Sequence, residues 1–265
     1  MIKNATFRFI ALLCAMLVFA SLGVGQVTIV AETFNRADNT NMDGQQPNPT
    51  NLVGNAFSGQ NNRSGGYVSF GNELRIGPDA SLSLFLDNYF TGTLTVSATI
   101  NRGNLSGTGM NRGVGVGFNT NAAEDFNNPV TGAGSWVTFT GLRFTTDSKI
   151  LFQSAGTSVA SVSVSSAVDT DYSLSYDVDT TTGQIANIDF AGQMIDFSSI
   201  YTASALQNYF SGTDHLSVFA GGAAAGQYGY IDNLTLTGTA VPEPAMIALF
   251  MGLACVLGIV RFRRD

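Results

Sequence analysis

The sequence predicts an all-β fold, an antiparallel jelly-roll β-sandwich, and three observations carry the prediction. Short segments of alternating apolar and polar residues succeed one another through residues 26–240, the period of strands with one buried face. Asp, Asn and Gly punctuate them at intervals of about 8–12 residues, the turn spacing of sandwiches and jelly rolls. A stretch of this length without an internal linker suits one all-β domain. Nothing in the pattern fixes closure into a barrel.

The expected first strand is Gln26–Phe34. A long loop, Asn35–Gly66, follows; Pro47 and Pro49 exclude a regular ladder there, and Leu52, Val53 and Phe57 pack it back on the body. Strands are then expected at Tyr67–Phe70, Glu73–Ile76, Ser81–Leu86, Thr93–Asn101, Gly113–Asn119, Trp136–Thr145, Lys149–Ser154 and Ser158–Ser165. Asp171–Val178, Gln184–Phe190, His215–Ala220 and Tyr228–Thr237 complete the set, with one short helix at Thr202–Tyr209. In Thr93–Ile100 the residues Leu94, Val96, Ala98 and Ile100 face a core and the hydroxyls face out.

The two ends are of another kind. Residues 1–25 have the three parts of a secretory signal peptide: basic Lys3 and Arg8, apolar Phe9–Ala20, and small residues through Gly25. At the other end Val241-Pro242-Glu243-Pro244 precedes an apolar run, Ala245–Val260, and then Arg261, Arg263 and Arg264. Sixteen helical residues span about 24 Å, short of a hydrocarbon core of about 30 Å, and flanking arginines that snorkel extend the reach. The arginines mark the cytoplasmic side and leave the body outside. Residues 241–265 are thus expected to hold one transmembrane helix.

Both cysteines, Cys14 and Cys255, lie in these ends, so the body must hold together by burying a core. Residues 26–240 carry seven of the twelve basic residues and seventeen of the nineteen acids, a net charge of −10. Such a surface repels phosphates and excludes nucleic acid as a partner.

The order Pro242-Glu243-Pro244, apolar helix, Arg cluster resembles the PEP-CTERM sorting signal over residues 241–265. The resemblance implies export through the Sec machinery, a temporary anchor in the inner membrane, and processing by an exosortase in bacteria that make exopolysaccharide. A permanent single-pass anchor is the alternative. Across the body four stretches resemble concanavalin A-like and laminin-G-like jelly rolls. They are Gly113–Phe118, Gly141–Phe144, the hairpin Tyr172–Asp179 through Ile185, and Tyr230–Thr237. That fold carries lectins, glycan hydrolases and adhesive modules, so the resemblance leaves the activity to the site.

A nucleophilic hydrolase needs an activated nucleophile and a base. The single histidine, His215, follows a turn, and no Gly-x-Ser-x-Gly elbow occurs. A glycosidase of this fold would set carboxylates two residues apart on one strand face. Glu32, Glu73 and Glu124 lack that pattern. Asp169/Asp171 and Asp177/Asp179 have it, at strand or loop ends where Asp is a common turn residue. No catalytic residue and no enzyme are expected.

Asp177-Val178-Asp179 through Gly183 superficially matches a calcium loop, yet Gly183 falls one place late and Ile185 and Ile188 take two ligand places. A hairpin loop explains the same residues. Asp177 and Asp179 stand as the metal candidates, and no cofactor beyond calcium is expected. For glycan contact the candidates are Trp136, which shares a face with Thr138 and Thr140, and then Tyr228 and Tyr230 after the Gly/Ala loop at 221–226. The expected protein is an exported, lectin-like surface or exopolysaccharide-matrix component. A glycan hydrolase of the same fold and a matrix protein without a specific ligand are the alternatives.

Overall fold

Alternation becomes burial most plainly in the segment after Phe90. In the computed structural model, Leu94, Val96, Ala98 and Ile100 are buried, while Thr93, Thr95, Ser97 and Thr99 on the other face are not. The structure describes residues 26–47, 55–61, 67–78, 80–86, 90–107, 112–119, 139–154, 157–180, 182–197, 215–222 and 224–240. Residues 28–238 form one compact unit. The second unit, 1–27 with 239–265, is described at residues 26, 27, 239 and 240. The expected signal peptide, sorting motif, transmembrane helix and flanking arginines therefore lie outside the described residues, as does the expected helix Thr202–Tyr209. Among the described residues no helix is long and apolar enough to cross a membrane.

Fifteen strands follow in order: β1 (Gln26–Glu32), β2 (Phe57–Asn61), β3 (Tyr67–Phe70), β4 (Glu73–Ile76), β5 (Ala80–Phe85), β6 (Phe90–Asn101), β7 (Gly113–Asn119) and β8 (Thr140–Thr145). Then come β9 (Lys149–Ser154), β10 (Thr157–Ser163), β11 (Tyr172–Asp179), β12 (Ile185–Phe190), β13 (Gln193–Ile195), β14 (His215–Gly221) and β15 (Gly229–Ala240). One sheet runs β13-β12-β11-β6-β15-β4-β3, with β1 also paired to β15. The other runs β10-β9-β8-β7-β14-β5-β2. The core includes Leu74, Val96, Leu174, Val178, Ile231 and Leu236 from the first sheet and Leu82, Val116, Phe118, Leu142, Ile150 and Val218 from the second. Tyr176 of β11 joins the sheets: its buried hydroxyl donates to the Val116 carbonyl of β7 at 2.9 Å. The low-dielectric surroundings push that phenol's pKa far up and keep it a donor.

The alternating glycines of β7 have a steric cause. A Cβ on Gly115 would meet the Phe219 ring at 2.1 Å, and one on Gly117 or Gly141 would meet the Phe139 ring at 2.8 or 3.0 Å. These glycines floor a trough for two buried rings packed edge-to-face, with centroids 4.7 Å apart. The Arg143 guanidinium stacks over Phe219 at 4.8 Å and donates to Gln153. Burial brings its pKa down to about 9.

Several strand bounds shift by one to three residues, the three-residue β13 is an additional strand, and two larger expectations change. The first strand stops at Glu32 rather than Phe34, because Phe34 takes a left-handed φ of 51°. Glu32 accepts the Phe34 amide at 2.6 Å and binds Arg36 through both oxygens at 2.7 and 2.9 Å, so a part-buried ion pair replaces ladder bonds. The expected loop at 35–66 contains β2, in which Phe57 is buried and the backbone pairs with β5. Of the strand expected from Trp136, the described part is Thr140–Thr145, with buried Phe139 ahead of it.

Candidate functional site

The strand order β11-β6-β15-β4-β3 sets residues remote in sequence side by side. Asp171 stands just before β11, Asn101 ends β6, Tyr230 lies in β15, Glu73 begins β4 and Phe70 ends β3. With Gly71, Asp169 and Thr170 they line a cleft of about 540 Å³.

Local chemistry shapes each wall. Gly71 and Asn72 join β3 to β4 in a two-residue turn with φ of 63° and 67°, the left-handed values a tight hairpin needs. The Gly71 amide donates to Asp38 Oδ1 at 2.8 Å, tying the turn to the chain after β1. On the opposite wall Asp169 is also left-handed, at 53°, and the Tyr172 hydroxyl accepts the Ala167 amide at 2.6 Å. Buried Asn101 fixes the floor: its Nδ2 donates to Asp171 Oδ1 at 2.8 Å, and its Oδ1 accepts the Gly103 amide at 2.7 Å. One oxygen of Asp171 is thereby held, and among the described residues no donor reaches the other.

Phe70 is 41% exposed at the rim. Arg75 lies with its guanidinium 4.6 Å from the Phe70 ring and 4.6 Å from the Tyr228 ring, a cation clasped by two aromatics. Tyr230 faces Arg75 in the β15–β4 register. Burial raises the Tyr230 hydroxyl's pKa, Arg75 tempers the rise, and Asp169 and Glu73 add to it. The Glu73 carboxyl is raised by burial first, then by the negative charges of Asp171, Asp232 and Asp169. Asp232, further along β15, is raised by burial, with Asp171 and Glu32 contributing against a backbone hydrogen bond from Asn233. The cleft thus offers two ring surfaces, three carboxylates and an amide. Apolar ring faces can stack on a sugar while the oxygens accept from its hydroxyls.

The residues singled out from sequence fall in different places. Tyr230 lines the cleft, and Tyr228 stands beside it against Arg75. Trp136 lies outside the described residues, as do Pro242, Glu243, Pro244, Arg261, Arg263 and Arg264. Asp177 and Asp179 lie away from the cleft lining and are engaged in the hairpin. Asp177 accepts from Thr95 Oγ1 at 2.6 Å and Asn187 Nδ2 at 2.7 Å, and Asp179 Oδ1 accepts the Thr182 amide at 3.0 Å. Gly183, with φ of 70°, closes the loop by donating to the Asp179 carbonyl at 2.7 Å. Among the described residues no three His, Cys, Asp or Glu side chains group to hold a metal ion. His215 begins β14 with its ring 5.2 Å from Phe85.

Sequence reasoning missed Phe70 and Asn101, set Glu73 aside for want of a paired carboxylate, and weighed Asp169 and Asp171 as turn residues. The Asp-Thr-Asp spacing was visible; its neighbours across the sheet were not.

No protein-family model and no curated protein matches the sequence. Solved structures match in fold. Arcelin-5, a lectin-like defence protein from Phaseolus vulgaris, is 9% identical with a TM-score of 0.50, over 82% of this chain and 99% of its own. Peanut lectin in complex with a nine-residue peptide is 12% identical with a TM-score of 0.44, over 83% of this chain and 100% of its own. A Trypanosoma rangeli sialidase is 14% identical with a TM-score of 0.41, over 64% of this chain, and the match spans 26% of the sialidase. The arcelin-5 similarity, together with the two antiparallel sheets, shows a lectin-like jelly-roll β-sandwich.

Proposed function

We propose that this protein is an exported, non-catalytic glycan-binding protein of the cell surface or exopolysaccharide matrix, and that the cleft at Tyr230 is its sugar site. One observation carries the reading: two aromatic side chains, three carboxylates and a buried amide share the walls of one open cleft. The sequence supports the route. A signal peptide at residues 1–25 would direct Sec export, and Pro242-Glu243-Pro244 with the following apolar run and arginines would anchor the chain for an exosortase. Calcium, if it contributes, would act through loop carboxylates rather than as a catalyst.

A glycan array probed with the purified exported protein, with and without calcium, tests the site. Binding that Tyr230→Ala and Phe70→Ala abolish is the expected result. Binding that both variants retain would move the site elsewhere, with Trp136 the next residue to substitute. No binding and no turnover would leave a matrix protein without a specific ligand. The raised Glu73 carboxyl near Asp171 favours a second reading, a glycan hydrolase with Glu73 as general acid. Turnover of an array hit that Glu73→Gln eliminates would establish that reading in place of the first.

A further inference from the structure

We propose that the cleft selects sugars bearing a free amine, amino-sugar units of a polysaccharide, over neutral and acidic sugars. This rests on the cleft being the glycan site. The side chains on its walls include three acids, Glu73, Asp169 and Asp171, and no base. Among the described residues none of the three has an ion-pair partner. Arg75 is clasped between Phe70 and Tyr228, is absent from the lining, and acts on the cleft through Tyr230. An entering ligand meets Asp169 and Asp171 on one wall and Glu73 on the other, with Tyr230 on the strand between them and Phe70 at the rim.

An ammonium group answers that environment in three ways. It donates three hydrogen bonds, strengthened by charge, to carboxylates whose local donors are few. Asn101 occupies one oxygen of Asp171, and among the described residues nothing donates to the other. The Phe70 and Tyr230 rings can take the sugar's apolar face or the cation itself. An acidic sugar would bring a fourth negative charge against these three. A neutral sugar would gain hydrogen bonds and stacking without the charge.

A bare metal ion fits less well. Among the described residues no three acidic side chains group closely enough to hold one. The cleft's 540 Å³ is the size of a small-molecule site. The raised Glu73 agrees with charge crowding, since Asp171, Asp232 and Asp169 all contribute to it. Amine binding would relieve that crowding, so Glu73 would release a proton on complex formation at mildly acidic pH. The charged or titratable groups around it are Asp169, Asp171, Asp232, Arg75 and Tyr230.

The test is calorimetric titration of the purified exported protein with four oligosaccharides of matched length. They are a chitosan oligomer with free amines, its fully N-acetylated counterpart, a neutral β-glucan and an oligouronate. The chitosan oligomer is expected to bind at least about tenfold more tightly than the acetylated form, with no binding of the oligouronate and weaker binding at high salt. Glu73→Gln and Asp171→Asn should each weaken the amine form about tenfold and leave the acetylated form unchanged. Asp177→Asn, the same charge change outside the cleft, should leave both unchanged. Unfolding curves of the variants establish that they fold.

Equal binding of acetylated or neutral sugar, lost in Tyr230→Ala, would overturn the charge selection and leave the sugar site in place. Amine binding that Asp177→Asn weakens as much as Glu73→Gln would reveal attraction to an acidic surface alone and also overturn it. Calcium that displaces the amine at constant ionic strength, with a stoichiometric binding isotherm lost in Asp171→Asn, would make the cleft a metal site. Binding of none of the four sugars would remove the inference and the sugar-site reading together.

Discussion

A methyl group added at Gly117 would lie 2.4 Å from the Thr140 carbonyl oxygen and 2.8 Å from the Phe139 ring. The strand has neighbours on both sides, so its backbone cannot withdraw from the clash. Gly117→Ala is expected to cost about 1–3 kcal/mol, read as a lower urea midpoint with an unchanged slope. Tyr176→Phe removes the hydroxyl that crosses the sandwich to Val116 and keeps the ring. About 1 kcal/mol should be lost, again by urea unfolding. The two substitutions act at β7 from opposite faces: one overfills a trough, the other empties a donor.

Among elements, the β3–β4 hairpin and the segment at 167–171 are joined through electrostatics. Glu73 has its pKa raised above the usual 4.5 by burial and by three acidic neighbours. The folded state therefore holds this proton more tightly than the unfolded chain. Its stabilising contribution is full below the unfolded value and is lost as pH rises through the higher folded value. Glu73→Gln should then gain more stability over the parent at pH 7 than at pH 4, measured by denaturant midpoints at the two values. A gain equal at both pH values would contradict the stated cause of the shift.

The same elements show what the sequence makes legible. Gly113–Asn119, Lys149–Ser154 and Glu73–Ile76 are strands with the boundaries their alternation predicts, because Val114 and Val116, Ile150 and Phe152, and Leu74 and Ile76 enter the core; Tyr67–Phe70 keeps its predicted bounds yet buries Ser69 and exposes Phe70. Phe57–Asn61 carries no such alternation. It is a strand because β5 offers it a partner, information held by the fold rather than by the segment. For the cleft, Tyr230 could be picked out as an aromatic beyond a Gly/Ala loop. The bond from Asn101 to Asp171 spans seventy positions and depends on β6 lying beside β11, which no local pattern specifies.

At the scale of the whole chain, the address and the body are separate problems. The body has no cysteine, so reductant should leave its unfolding curve unchanged. If the tail is a sorting signal, intact-mass measurement of the exported protein should show loss of the apolar run 245–260, and replacement of Pro242, Glu243 and Pro244 by alanine should preserve it. An intact tail on the unaltered exported protein would make the anchor permanent.

The strands at the ends of the sheets have a consequence for how molecules meet at high concentration. Apart from β1, which branches off on β15, the described strands of the first sheet end in β13 and β3, of three and four residues, and those of the second in β2 and β10, of five and seven. The longest of these, β10, is broken by a register shift between Ser158 and Ala160. Each rim exposes few consecutive backbone donors and acceptors, so one molecule gives another little to zip onto. At high concentration such molecules would resist lateral fibre growth, and any cohesion between them would have to come from contacts other than strand pairing.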